Sequence, residues 1–231
     1  MEEAGALDCE ALLIPELSVP WARSKGVSLD SVFQLAMQLG YYEATGRLDS
    51  TYEACSTQGF KAGRTEVVRS VTSESKALVA ALRSTRLSFQ TATAEMVQAA
   101  LDAQRANVTN SQQGHGHERH LLALKVQAEE MGRPLPEIFA DGGWPKVCTS
   151  VVSTSGLRSP ALSLFIFGPV TAHGVGLGYL LSADGVSLCV TSWRGKGPPA
   201  AKVARAISEA CATLRQTVDE LLPPPPPRSK L

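Results

Sequence analysis

Helical spacing is the first regularity along the chain. From Leu29, apolar residues recur at Val32, Phe33, Ala36 and Leu39, three and four positions apart, the period that gathers side chains on one face of an α-helix. Ser28 offers a capping oxygen at its start, and Gly40 or Gly46 can end it. Segments rich in Ala and Leu predict helices over 75–83 and 91–107. Another is expected from Glu118 to Met131, burying Leu121, Leu122, Leu124 and Val126 and stopped by Gly132 and Pro134. The first twenty residues carry no sustained period and contain Pro15 and Pro20, so residues 1–27 read as an irregular lead-in. After Trp144 the pattern changes. Residues 147–152 are rich in β-branched side chains, 161–167 are apolar and aromatic, and 178–183 and 186–191 flank Asp184-Gly185, a turn that tolerates positive φ and marks a hairpin. A long closing helix follows Pro198-Pro199 and buries Val203, Ile207, Ala210, Leu214, Val218 and Leu221. Helices first, then a mostly antiparallel sheet under a final helix, predict a layered α/β domain over 28–222 without Rossmann alternation.

Residues 223–231 form a separate tail. Pro223 to Pro227 lack the amide hydrogens a helix needs and favour extended polyproline II, a stiff spacer. The spacer presents Ser229-Lys230-Leu231, which at a free carboxyl terminus is the tripeptide read by a peroxisomal import receptor. A peroxisomal location is therefore expected.

Charge narrows the partners. The 231 residues hold 22 basic and 22 acidic side chains, so no overall field draws the chain to nucleic acid or anionic lipid, and ligands must be recognised locally. Apolar stretches such as 162–170 are shorter than a membrane helix requires, and Met1-Glu2-Glu3 is not a basic, apolar leader. No membrane span and no secretion are expected. Five cysteines, at 9, 55, 148, 189 and 211, are scattered and lack Cys-x-x-Cys spacing, which predicts reduced thiols without a disulfide scaffold or a zinc site.

Four signatures carry candidate chemistry. Tyr52-Glu53 is followed by Gly63-Arg64-Thr65-Glu66 and Arg69-Ser70, a pattern that also suits a solvated loop with a helix cap. Gly114 to His120 holds three histidines. Its glycines leave His115 and His117 on a loop without a complete ligand set, so no metal is expected. Val151-Val152-Ser153-Thr154-Ser155 ends a strand in hydroxyls, which elsewhere often cap backbone groups. Phe165-Ile166-Phe167-Gly168-Pro169-Val170 precedes His173-Gly174-Val175-Gly176, glycines that open a strand and not a phosphate-binding helix.

In their order and spacing these elements resemble the carboxyl-terminal half of the carnitine/choline acyltransferase family over about residues 28–222. The resemblance implies a chloramphenicol-acetyltransferase-like fold and transfer of an acyl group between coenzyme A and carnitine. Coenzyme A or acetyl-coenzyme A is then a co-substrate, and no bound cofactor is expected. Carnitine presents a quaternary ammonium, a hydroxyl and a carboxylate, which call for an aromatic face, a base and charged donors respectively. By resemblance Tyr52, Thr65 and Arg119 hold the carboxylate, Arg119 making carnitine and not choline the acceptor. Phe167 faces the trimethylammonium group, Ser153 contacts carnitine, and Ser155 donates to the oxyanion of the tetrahedral intermediate, where one lost donor costs on the order of 3 kcal/mol. Arg23, Lys25, Asp30 and Arg105 fall where the family contacts coenzyme A. Phe165 stands where a bulky residue closes the groove for long chains, which implies acetyl or another short acyl donor.

Departures from the family pattern weaken that site. Ala54 and Gly156 replace a usual serine and glutamine, and Val19 stands where the first coenzyme-phosphate lysine is expected. The family's general-base histidine belongs to an amino-terminal half with no counterpart in these residues, and His115, His117, His120 and His173 match no base motif. The chain by itself is expected to be weak or inactive as an acyltransferase. Its face toward the other half is expected to expose apolar surface and favour association. A non-catalytic carnitine- or coenzyme A-binding protein is the alternative.

Overall fold

The computed structural model describes residues 5–84, 92–157, 159 and 161–222. In chain order the elements are β1 (Leu7–Ile14), α1 (Val19–Lys25), α2 (Leu29–Thr45), β2 (Thr51–Ser56), β3 (Thr65–Arg69), α3 (Ser73–Ser84), α4 (Ala94–Gln112), α5 (Glu118–Glu130), a 3-10 turn (Glu137–Phe139), α6 (Trp144–Cys148), β4 (Val152–Leu157), β5 (Val175–Leu181), β6 (Val186–Trp193) and α7 (Ala200–Leu221). The strands make one sheet in the order β1-β6-β5-β4-β2-β3. The β1–β6, β5–β6 and β2–β3 pairs are antiparallel, and the β2–β4 and β4–β5 pairs are parallel. This is the layered α/β arrangement that the order of elements implied.

Local chemistry accounts for the helices that position the sheet. The hydroxyl of Ser28 accepts from the Ser31 amide at 3.2 Å, and Gly46 closes α2 with a left-handed φ of 74°. Gly40, the other candidate stop, lies inside the helix. A Cβ there would come within 2.5 Å of the Ile207 backbone, so its absence lets α2 cross α7 closely. α2 is buried almost all round because it packs on the sheet through Gln34 and is flanked by α7, α4 and α3. α7 lays Val203, Ile207, Ala210, Leu214 and Val218 into the same core, whereas Leu221 is only half-buried. Each buried Val, Ile or Leu among them contributes about 1.5–3 kcal/mol. Asp184-Gly185 makes the β5–β6 turn, with Gly185 at φ 147° and Ser182 N donating to Gly185 O at 2.9 Å. None of the described helices is long and apolar enough to cross a membrane.

Four expectations are corrected. Residues 7–25 are β1 and α1, not an irregular lead-in. β1 escapes pattern reading because only Ile14 among its residues is buried, and main-chain pairing to β6 holds it. Residues 161–167 form no strand, although they are apolar and aromatic. The β-branched run 147–152 is divided between α6, which has Pro145 in its first turn, and a strand that begins only at Val152. Lastly, α5 has no buried residue, and Leu122, Leu124 and Val126 are exposed because no described element covers that side.

Candidate functional site

Alternation along β4 divides its three hydroxyls. Thr154 faces the helices and accepts from Gln34 Nε2 at 3.0 Å. Ser153 and Ser155, one residue either side, project from the opposite face. There they meet Tyr52 and Ala54 of β2, since Tyr52 is the register partner of Ser153. Tyr52, Ala54, Ser150, Ser153, Thr154, Ser155, Phe165, Phe167 and Val170 enclose a hollow of about 340 Å³. Five side chains expected at the carnitine and acyl sites, Tyr52, Ser153, Ser155, Phe165 and Phe167, are therefore together.

Two glycines explain how the phenylalanines reach it. Register continues Ser153–Gly176–Thr191 and Ser155–Gly178–Cys189 across β4, β5 and β6. A Cβ on Gly178 would lie 2.3 Å from Phe165 O, and one on Gly176 would lie 2.9 Å from Phe167 O. The strap carrying both phenylalanines thus rests directly on the bare backbone of β5. Thr191 Oγ1 fastens it by donating to Phe167 O at 2.7 Å. The two rings sit 5.6 Å apart, tilted by 34°.

Thr65 and Arg119 lie beyond this lining, at the start of β3 and the first turn of α5. Both are exposed, and Arg119 Nε donates to Thr65 O at 3.4 Å. The helix start is anchored from the sheet. Glu66, buried, accepts from the Arg119 amide at 3.3 Å, so its carboxylate caps a helix whose own N-cap residue, His117, makes no side-chain bond. Gly116 makes room for it: a Cβ there would stand 2.2 Å from Glu66 Cγ. Arg69 forms an ion pair with Glu118 and donates to Ser150 Oγ at 3.1 Å and Ser50 Oγ at 3.2 Å. Arg69 is also the register partner of Tyr52. One guanidinium thereby joins the rim of the hollow to the turn that presents Arg119.

The residues expected to meet coenzyme A divide into three places. Lys25 and Arg105 line a cleft of about 150 Å³ with Ser28, Ser31, Gln98 and Asp102, and Lys25 Nζ pairs with Asp219 at 2.8 Å. Asp30 turns away, into a hollow of about 90 Å³ shared with Glu53, Ala54, Gly156 and Tyr179. Arg23 is exposed on α1 and lines none of these hollows. Around Asp30, Tyr179 donates to its Oδ1 at 2.7 Å, and Gln104 and Ser70 donate to Glu53 Oε2 at 2.6 and 3.2 Å. Burial first, and the Asp30 carboxyl second, push Glu53 well above the usual carboxylate range. Burial, then the same two carboxyls, raise the Tyr179 phenol too.

A family model described as Choline/Carnitine o-acyltransferase matches residues 2–209. The chain belongs to this family. The putative mitochondrial carnitine O-acetyltransferase of Saccharomyces cerevisiae is 37% identical over 171 residues, covering 71% of this chain and 24% of that protein. Carnitine O-acetyltransferase of Columba livia is 30% identical over 226 residues, or 97% of this chain and 35% of the relative. Mitochondrial carnitine O-palmitoyltransferase 2 of Mus musculus is 33% identical over 175 residues, or 75% and 27%. The chain spans about a quarter to a third of the length of these acyltransferases. Among solved structures, VibH, an NRPS condensation enzyme, superposes with a TM-score of 0.51 at 12% identity over 94% of this chain and 51% of VibH. The wax ester synthase/diacylglycerol acyltransferase of Marinobacter aquaeolei VT8 gives 0.50 at 10% identity over 92% and 49%. These likenesses establish the chloramphenicol-acetyltransferase-like fold.

Positions where this chain departs from the family pattern have a structural setting. Gly156 pairs with Tyr179 in register, and a Cβ on it would meet that ring at 2.7 Å. Ala54 lines both the 340 Å³ and the 90 Å³ hollow, and Val19 sits in the first turn of α1. Glu66, Arg69, Gly116 and Thr191 carry roles that residue type and spacing did not predict. The first two stand within residues 63–70, and their partners on α5, Arg119 and Glu118, lie about fifty residues away. Among the described residues no group of three or more His, Cys, Asp or Glu side chains is placed to hold a metal ion. Ser229, Lys230 and Leu231 lie outside the described residues.

Proposed function

We propose that this chain is the acceptor-binding and oxyanion-stabilising part of a short-chain carnitine O-acyltransferase of the carnitine O-acetyltransferase type, peroxisomal by its Ser229-Lys230-Leu231 ending. The observation that carries the reading is the hollow that gathers Tyr52, Ser153, Ser155, Phe165 and Phe167 on one face of the sheet. The aromatic wall suits a quaternary ammonium, whose attraction to a ring face is worth roughly 0.5–2 kcal/mol. Arg119 and Thr65 supply charge and a hydroxyl for the carboxylate, and Tyr52 adds a phenol. Ser155 offers its hydroxyl where the acyl carbonyl becomes an oxyanion. Phe165 narrows the acyl end, favouring acetyl over long chains. Lys25 and Arg105 present positive charge to coenzyme A phosphates, whereas Asp30 and Arg23 stand outside their cleft.

Among the described residues, those that line the hollow include no imidazole and no carboxylate. In this reading the base that takes the carnitine hydroxyl proton comes from chain beyond these 231 residues, and its absence lowers rate by about a hundredfold to ten-thousandfold. Calorimetric titration tests the reading. L-carnitine should bind the chain, and Arg119→Ala should weaken it by about tenfold to a hundredfold, the value of a charged hydrogen bond, while leaving choline unaffected. Acetylcarnitine formation from acetyl-coenzyme A reads turnover in the same samples. Binding without turnover identifies a carnitine-binding half-site, and failure to bind either carnitine or coenzyme A refutes the proposal.

A further inference from the structure

We propose that Cys9 and Cys189 are a paired modification site, closed by a peroxide into a cross-strand disulfide that fastens β1 to β6. Register brings them together. Cys9 lies opposite Thr191 and Ala11 opposite Cys189, so the thiols are diagonal neighbours on the same face of an antiparallel pair. Their sulfurs stand 3.4 Å apart, a contact from which rotation about the two Cα–Cβ bonds and a small shift of β1 reach bonding distance. β1 is the edge strand of the sheet, paired on one side only, to β6.

The two thiols differ in access. Cys9 is exposed and Cys189 is buried, and burial, then the neighbouring Cys9 thiol, push Cys189 up to about 12. Cys9 is accordingly the sulfur that meets the oxidant. Its thiolate attacks a peroxide oxygen, the O–O bond breaks, and Cys9 becomes a sulfenic acid as the first water leaves. Cys189 then attacks the Cys9 sulfur, the S–S bond forms, the S–O bond breaks, and the departing hydroxide leaves as water with the Cys189 proton. Two thiols lose two hydrogens, and hydrogen peroxide is reduced to two waters.

The location ties the pair to the strap. Cys9 faces Thr191, which holds Phe167 O, and Cys189 faces Gly178, on which Phe165 O rests. Closing the bond locks the two rows of the sheet that seat both phenylalanines.

The test treats the whole chain with hydrogen peroxide, alkylates the remaining thiols and maps the digested peptides by mass spectrometry. The expected product is one peptide pair joined through Cys9 and Cys189, lighter by two hydrogens and separated by a thiol reductant. The bond closes a loop of 180 residues in sequence separation, so the oxidised chain should melt about 10 °C higher than the reduced one. Cys9→Ser, at an exposed position, should abolish both the linked peptide and the shift. Separate alkylation of Cys9 and Cys189 while exposed Cys148 oxidises overturns the proposal. So does an equal melting shift in Cys9→Ser, and the peptide map of the unsubstituted chain decides the matter even if that variant fails to fold.

Discussion

At Glu53 one carboxyl ties the sheet to two further elements. Ser70, after β3, and Gln104, on α4, both donate to its Oε2, while Asp30 at the start of α2 faces it. Burial and the second carboxyl keep its proton bound in the folded state well above the ordinary value of 4.5. A carboxyl raised in this way stabilises the fold below its unfolded value and loses that contribution as pH climbs through the folded value. Glu53→Gln keeps an oxygen for Ser70 and Gln104, adds a donor toward Asp30, and cannot ionise. Urea unfolding from about pH 5 to about pH 8 should show the native chain losing stability relative to this variant; parallel curves would contradict a protonated Glu53. The Tyr-Glu pair was visible in the sequence, and period 2 sends its two side chains to opposite faces. That the glutamate shares a buried site with Asp30 depends on β2 lying over the start of α2, which no local pattern encodes.

At the scale of elements, the polar anchors of α5 gather in its first turn. The helix buries no side chain, and its anchors are Glu66 on the Arg119 amide, Arg69 on Glu118, and Thr65 O on the Arg119 guanidinium. A capping carboxylate contributes about 1 kcal/mol. Glu66→Gln should therefore speed hydrogen exchange at the amides of the first turn of α5 by about fivefold. Gly116→Ala should do the same by displacing the Glu66 carboxyl, since its Cβ would overlap the Glu66 side chain. Unchanged protection in both would show that the turn is held by other contacts. Helical spacing revealed α5, along with α2, α3, α4 and α7, because amphipathic or capped helices write their period into the chain. β2 and β3 were missed. Each has only five or six residues; β2 turns Tyr52 and Ala54 to the hollow and Glu53 to buried polar contacts, and β3 buries Val67 and Val68 side by side, which erases alternation between apolar and polar.

Across the whole molecule, one side is densely packed and the other is open. α2, α4 and α7 cover one face of the sheet with the core, whereas the opposite face carries Ser153, Ser155 and the strap, and α5 stands beside it with Leu122 48% and Val126 41% exposed. One helical turn apart, these two share a side of α5. Apolar surface of this kind favours association, so the chain should elute larger than a 24.5 kDa monomer in size-exclusion chromatography. Leu122→Glu with Val126→Lys should restore the monomer, and a monomeric unsubstituted chain would refute this. The family, the helices α2, α3, α4, α5 and α7, the hairpin at Asp184-Gly185 and the short motifs of the site were legible in the sequence, because residue type and spacing determine caps, turns and periods within a few residues. The tertiary structure alone decided that β1 joins the sheet, that the segment 161–167 is a strap on Gly176 and Gly178, and that Glu66 and Arg69 anchor the turn presenting Arg119. Those contacts join residues from about ten to nearly two hundred positions apart, and only the register of the sheet and the absence of a Cβ at a few glycines bring them within reach.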